Sequence, residues 1–289
     1  MSAADSTAVP GAPIDDTDPR PVGMFDSGFG GLTVARALID LLPAEDLIYI
    51  GDTGRYPYGP RSLDEVAGFA HELTEELVER RGVKLVVVAC NTAAAAALES
   101  LQDRFPVPVI GVIEPGVRAL AEATRTGRVG VIGTVGTINS GAYQHAVHAE
   151  SPSNDLIALA CPGFVEFVER GEFGTEQVHV LADRLLAPAR DAKIDALLLG
   201  CTHYPYLART ISDVMGRDVV LVSSADETAF EVRRQLEARG MLHRGAPGHV
   251  GSQTFVTTGD VHWFRELGRQ LLGPELETAE RLGDVHGTT

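Results

Sequence analysis

Two stretches of this chain each carry an apolar run straight into a cysteine. One is Lys84-Leu85-Val86-Val87-Val88-Ala89-Cys90-Asn91-Thr92, and the other is Asp195-Ala196-Leu197-Leu198-Leu199-Gly200-Cys201-Thr202-His203-Tyr204-Pro205. In both, a thiol stands where a buried strand is expected to stop, with small polar residues directly behind it. A facing pair of thiols is suited to proton transfer on both sides of one carbon. An alanine-rich helix is expected to open just after Cys90, and a thiol at a helix N-terminus is expected to have its pKa lowered by the dipole and free amides. Asn91 and Thr92 add donors for a carboxylate. His203, two residues past Cys201, can assist a thiol's proton traffic near neutral pH. Either cysteine alone reads equally as an inert core residue; their joint occurrence in matching contexts favours chemistry.

Other candidate residues also follow strands. Met24-Phe25-Asp26-Ser27-Gly28-Phe29-Gly30-Gly31 places a carboxylate and a hydroxyl before a glycine-rich turn and a helix. Such a turn lets backbone N–H groups approach an anion, although Asp26 or Ser27 as a simple helix cap is the alternative. Gly51 to Gly59 is a loop with Arg55, Tyr56 and Tyr58, and its composition suits a substrate wall or lid. Arg128 to Thr137 reads as a strand and a Gly/Thr turn. Its GxxGxxG spacing departs from the dinucleotide fingerprint, so Thr134 and Thr137 are better read as holding a substrate carboxylate. Cys161 precedes proline, lacks polar successors and reads as structural. Glu166 and Glu169 share a helix face, and either can reach toward His203. Cys201 and His203 form the one close Cys/His pair, too little for a metal site. No metal and no cofactor is expected.

The elements needed to position these residues alternate along the chain. Strands are expected at Val22–Phe25, Leu47–Ile50, Val83–Ala89, Val109–Val112, Val129–Ile132, Leu156–Ala160, Ala196–Leu199 and Val219–Val222. Helices are expected at Leu32–Leu42, Ser62–Arg81, Ala93–Arg104, Gly141–Ala149, Gly163–Glu169, Thr175–Arg190 and Tyr206–Met215, and again at Asp226–Gly240. This is α/β patterning with mostly parallel sheets, and the continuously apolar runs suit strands covered on both faces. The series occurs twice, with a break expected at Glu114-Pro115-Gly116 and a late strand, Gln253–Thr258, returning to the first half. The expected division is domain 1 over 21–114 and 225–279 and domain 2 over 115–224. A disordered leader over 1–20 and a flexible tail over 280–289 complete it.

Bulk composition limits the partners. With 289 residues, 44% hydrophobic, 22% charged and three cysteines, the chain has globular values and no disulfide framework. The N-terminal stretch has no basic start or apolar block, so it is not a secretory signal, and no apolar run is long enough for a membrane span. A net charge of −16, with basic pairs only at Arg80-Arg81 and Arg233-Arg234, argues against nucleic acid. An anionic substrate therefore depends on local donors.

Together, four blocks resemble the bacterial glutamate racemases of the aspartate/glutamate racemase superfamily, in order from Val22 to Asp260. They are Phe25-Asp26-Ser27-Gly28-Phe29-Gly30-Gly31-Leu32, Gly51-Asp52-Thr53 with Pro57-Tyr58-Gly59, Cys90-Asn91-Thr92-Ala93, and Gly200-Cys201-Thr202-His203-Tyr204-Pro205. The resemblance implies two pseudo-symmetric α/β domains around a cleft. It also implies cofactor-independent racemisation of L- and D-glutamate in the cytoplasm, supplying D-glutamate for peptidoglycan, with a homodimer as a family-level expectation. Cys90 and Cys201 become the acid/base pair. Asp26, Ser27, Tyr58, Gly59, Asn91, Thr92, Thr202 and His203 become substrate contacts, with Asp26 and His203 also assisting the thiols. A supporting glutamate is implied near Cys161. Glu169 fits the Val-Glu-x-Gly ending best, while Glu166 stands where proline is usual, so both stay candidates. An aspartate racemase, a one-cysteine decarboxylase and a non-catalytic amino-acid-binding module are the rival readings.

Overall fold

Strands and helices alternate along nearly the whole of residues 18–246 and 248–283, the part that the structure, a computed structural model, describes. The strands are β1 (Val22–Asp26), β2 (Leu47–Gly51), β3 (Leu85–Val88), β4 (Val109–Gly111), β5 (Arg128–Gly133), β6 (Asp155–Ala160), β7 (Ala196–Gly200), β8 (Val220–Ser223), β9 (Gln253–Thr257) and β10 (Glu280–Arg281). The helices are α1 (Leu32–Leu41), α2 (Leu63–Glu75), α3 (Asn91–Arg104), α4 (Ile113–Ala123), α5 (Val135–Asn139), α6 (Ala142–Glu150), α7 (Phe164–Glu169), α8 (Glu176–Asp191), α9 (Ala208–Met215), α10 (Ser224–Ala238) and α11 (Val261–Leu272). A π-helical turn at Glu76–Arg80 extends α2, and a 3₁₀ turn at Tyr204–Leu207 leads into α9. Among the described residues, no helix is long and apolar enough to cross a membrane.

Two sheets result, in orders β10-β9-β2-β1-β3-β4 and β6-β5-β7-β8, with every pairing parallel. The run β2-β1-β3-β4 in the first has the same order as β6-β5-β7-β8 in the second. β3 and β7 therefore hold equivalent stations, and each hands the chain to a cysteine within two residues. This is the physical form of the duplication legible in the sequence.

Period-2 side-chain alternation explains how the sheets share a core. On β5, Val129 and Val131 face the larger apolar cluster, which also contains β1, β3 and α1 residues, while Ile132 faces the smaller one. On β7, Ala196 and Leu198 point to the first cluster and Leu197 and Leu199 to the second. The second sheet thus shares one face with the core of the first and packs α8 and α9 on the other. Both central strands are buried along their length. That covering holds their C-terminal ends in fixed positions.

Four expectations are corrected. Glu114-Pro115-Gly116 does not interrupt the pattern: it lies in the first turn of α4, where proline's missing N–H costs nothing. Gly116 is there for a close approach, since a Cβ on it would lie 3.0 Å from Ser224 Cβ and 3.2 Å from Leu198 Cδ1. The Gly/Thr stretch after β5 is a short helix, α5, and not an irregular turn. Glu280 and Arg281 belong to β10, paired with Val256 and Thr257 on β9, rather than to a loose tail; residues 284–289 lie outside the described residues. Residues 1–17 of the expected leader also lie outside them, whereas Asp18 is placed, its carbonyl accepting a hydrogen bond from Lys84 Nζ at 2.6 Å.

Candidate active site

A cavity of about 260 Å³ opens where the C-terminal ends of the two sheets meet. Loops following six strands line it: Ser27 after β1, Tyr56–Pro60 after β2, Cys90–Thr92 after β3, Thr134 and Val135 after β5, Cys161–Glu166 after β6, and Cys201–Tyr204 after β7. Ligands in parallel α/β sheets bind at this edge because helix N-termini and free strand-end amides point there. Both cysteines of the matched motifs thus reach one cavity, each from its own sheet.

Cys90 is the N-cap of α3, with extended backbone (φ −91°, ψ 121°). The residue is 4% exposed. The expectation of a lowered pKa is overturned. Burial, reinforced by the Asp26 carboxylate, pushes the thiol up to about 12, although the Ala93 amide and the Ser27 hydroxyl favour the thiolate. The helix N-terminus acts in the predicted direction, but a closed site removes more hydration than it replaces.

Cys201 has a different neighbour. His203 Nδ1 lies 3.9 Å from Cys201 Sγ, and His203 Nε2 lies 3.0 Å from Glu169 Oε1. Burial alone would push the imidazole down. The bonds to Cys201 and Glu169 outweigh it and raise His203 to about 10, so the imidazolium donates from both nitrogens at neutral pH. Of the two candidate glutamates, Glu169 makes this contact and Glu166 lines the cavity instead.

Asp26 is fully buried behind the cavity wall. Its Oδ1 accepts from the Gly28 amide at 2.8 Å, and its Oδ2 accepts from the Thr202 hydroxyl at 3.3 Å. It therefore links the strand end of β1 to the Cys201 loop. Gly30 tightens the same junction, because a Cβ there would overlap His203 and Thr202. Across the cavity, the Gly136 amide donates to the Gly59 carbonyl at 3.0 Å. Thr92, Thr134 and Thr137 form a hydroxyl cluster, with 3.0 Å between Thr92 and Thr134 and 2.9 Å between Thr134 and Thr137. Thr92 and Thr134, one from each sheet, line the cavity and are suited to receive a carboxylate, whereas Thr137, expected as a substrate contact, is fully buried behind them.

The loop after β2 differs in detail from the expected lid. The Tyr58 hydroxyl donates to Asp52, so Tyr58 presents no free phenol to a ligand, though it still lines the cavity with Gly59. Asp52 also accepts from Arg55 at 2.7 Å and from Thr258 at 2.5 Å. Arg55 turns away from the cavity, its guanidinium 4.2 Å from the Phe69 ring centroid. Tyr56, across a cis bond to Pro57, is the aromatic wall beside His203, with ring centroids 6.5 Å apart. Cys161 lines one wall, but its sulfur has only a 4.0 Å contact with the Leu159 carbonyl and burial pushes it up to about 12. Its structural reading agrees with these surroundings. Tyr56 bears out the reading of this loop as a wall, while sequence reasoning singled out neither Pro60 nor Val135, which also line the cavity. No spacing rule marks them; their position after a strand end was the available signal. Among the described residues, no group of three or more His, Cys, Asp and Glu side chains is arranged to hold a metal ion.

Comparison with known proteins agrees with this geometry. A family model described as Asp/Glu/Hydantoin racemase matches residues 30–231. A glutamate racemase of Mycobacterium avium is 52% identical over 257 residues, covering 88% of this chain and 93% of that protein. A glutamate racemase isoform of Bacillus anthracis superposes with TM-score 0.85 at 42% identity, covering 91% of this chain and 96% of that one. A glutamate racemase of Francisella tularensis, solved in complex with D-glutamate, superposes with TM-score 0.85 at 34% identity over 92% and 98% of the two chains. With a duplicated parallel fold, two cysteines at equivalent strand ends in one cavity and relatives at this level of identity, the chain belongs to the glutamate racemases of the Asp/Glu/Hydantoin racemase family.

Proposed function

We propose that this protein interconverts L- and D-glutamate by a two-thiol, cofactor-independent mechanism. One observation carries the reading: Cys90 and Cys201 occupy equivalent positions in two sheets of like order and line one cavity. The α-proton of an amino acid is a very weak acid, so its removal needs a base in contact and stabilisation of the developing carbanion. One cysteine, as thiolate, removes the proton from one face of Cα. The other, as thiol, delivers a proton to the opposite face, and the electron pair left by the broken C–H bond forms the new one. The two exchange roles for the other enantiomer. His203 holds a proton at Nδ1 beside Cys201, and Glu169 fixes the ring through Nε2. The Thr92 and Thr134 hydroxyls with the α3 N-terminus hold carboxylate charge, and the buried Thr137 hydroxyl orients them. General acid/base action contributes about 10²–10⁴-fold, and positioning and electrostatics in the closed cavity supply the remainder.

In this reading the two sheets mark two domains, one built on β1–β4, β9 and β10 and the other on β5–β8, and the product D-glutamate serves peptidoglycan synthesis in the cytoplasm. The Francisella relative's complex with D-glutamate supports the choice of substrate. The test is incubation with L-glutamate in D₂O without added cofactor. Deuterium at Cα together with D-glutamate formation is expected. Binding without exchange would identify an amino-acid-binding module instead, and exchange confined to aspartate would move the substrate to four carbons.

A further inference from the structure

Tyr143, on α6 beside the second sheet, touches both cysteine segments. Its hydroxyl accepts a hydrogen bond from Asn91 Nδ2 at 3.4 Å, next to Cys90. Its ring fills the space a side chain on Gly200 would need, since a Cβ there would lie 2.7 Å from Tyr143 Cε2; Gly200 immediately precedes Cys201. Tyr143 is fully buried, and burial holds its phenol well above the ordinary range, so it stays a neutral hydroxyl.

Asn91 is 2% exposed and lines the cavity. Tyr143 accounts for its Nδ2. Its Oδ1 is buried without a hydrogen-bond partner. A buried amide oxygen left unpaired is costly and calls for a donor. Of the groups on a 2-amino dicarboxylate, only the α-ammonium donates at neutral pH. We propose that Tyr143 is a positioning residue that fixes the Asn91 carboxamide so that Oδ1 is reserved for the substrate's ammonium. This inference rests on the racemase reading and deepens it. It explains why an amide, a group able to face a ligand with either end, presents its acceptor end here. Without the hydroxyl, the amide is free to turn its N–H groups toward the ammonium, which they repel.

The test compares two ligands by calorimetry. Racemic glutamate carries the ammonium and shows no net turnover; glutarate has the same two carboxylates without it. In Tyr143→Phe, affinity for glutamate should fall about tenfold or more, the weight of one hydrogen bond from a charged donor. Affinity for glutarate should stay within about twofold of the parent's on the same hydrogen-bond argument. Asn91→Ala should show the same selectivity, and the double variant should lose no more than Asn91→Ala alone. General damage to the site weakens both ligands equally. Equal loss, no loss, or additive losses in the double variant overturns the inference. A parent that exchanges the Cα hydrogen of glutamate while the variants lack ammonium-selective loss sinks this inference alone. A parent without exchange sinks the racemase reading and this inference with it.

Discussion

His203 Nε2 stands 3.0 Å from Glu169 Oε1, with both side chains almost completely buried. The imidazole's other nitrogen faces Cys201, so Glu169 acts on the thiol only through the ring. Relative to its ordinary value of 6.5, His203 is raised to about 10. A raised folded-state pKa means that the pair's stabilisation is full below pH 6.5 and is lost as pH rises through 10. Glu169→Gln keeps an acceptor for Nε2 but removes the carboxylate charge that helps to raise the His203 pKa. The difference in urea midpoint between parent and variant should be widest at and just below pH 6.5 and close as pH approaches 10. The alkaline limb of the variant's pH–rate profile should also move to lower pH. A stability difference independent of pH across that window would show that Glu169 does not hold the imidazolium.

The resting enzyme keeps Cys90 as a thiol. With its pKa pushed up to about 12 from an ordinary value of 9.0, the thiolate fraction at pH 8 is about a thousandfold below that of an unperturbed cysteine. Iodoacetamide at pH 8, followed by mass spectrometry, should therefore label Cys90 in ligand-free enzyme at least about a thousandfold more slowly than it labels glutathione. Labelling at the rate of a free thiol would mean that the helix N-terminus outweighs burial after all.

Two thiols with different partners should be separable by substitution. Cys90→Ala and Cys201→Ala should each abolish racemisation. In Cys90→Ser and Cys201→Ser the weakened group can still act as the acid, so the intact cysteine remains a base on one face only. Each serine variant should then exchange the Cα hydrogen of one enantiomer, and the two should differ in which, read by NMR from pure L- and pure D-glutamate in D₂O. Full racemase activity in both single variants would eliminate the two-thiol mechanism.

Legibility followed the range of the interactions. The strand-end motifs around Asp26, Cys90 and Cys201 were readable because a buried apolar run, its abrupt end and its polar successors are all local in sequence. The duplication was readable for the same reason, since β3 and β7 carry nearly interchangeable patterns. α4 was hidden because Pro115 and Gly116 usually punctuate a chain, and only the packing of Gly116 on Leu198 shows why glycine is needed there. The elevated pKa of Cys90 was invisible because it comes from closure of a second sheet over the helix N-terminus. Tyr143 looked like any helical tyrosine; its partner, Asn91, is 52 positions away and belongs to the other half. Glu169 could be narrowed to a pair, and the choice needed the distance to His203.

Lys84 enters β3 at the end opposite the cavity, fully buried, with Nζ 2.6 Å from Glu45 Oε2. It also donates to the carbonyls of Asp18 at 2.6 Å and Met241 at 2.9 Å, while Glu45 accepts from the His243 amide at 2.7 Å. Three distant segments are thus tied together beneath the first sheet. Burial raises the Glu45 pKa even against its bond to Lys84, so this carboxylate depends on that cation to stay ionised. Lys84→Met leaves Glu45 buried without its partner and should destabilise the protein by about 3–5 kcal/mol in urea titration. Adding Glu45→Leu removes the stranded carboxylate and should recover part of the loss, because an apolar pair replaces a broken ion pair rather than an intact one. The network lies far from the cysteines, so kcat of the folded enzyme should be unchanged in both variants. A cost below about 1 kcal/mol for Lys84→Met would place this pair with ordinary surface ion pairs, and a fall in kcat without loss of stability would mean that the base of the sheet is coupled to the cavity.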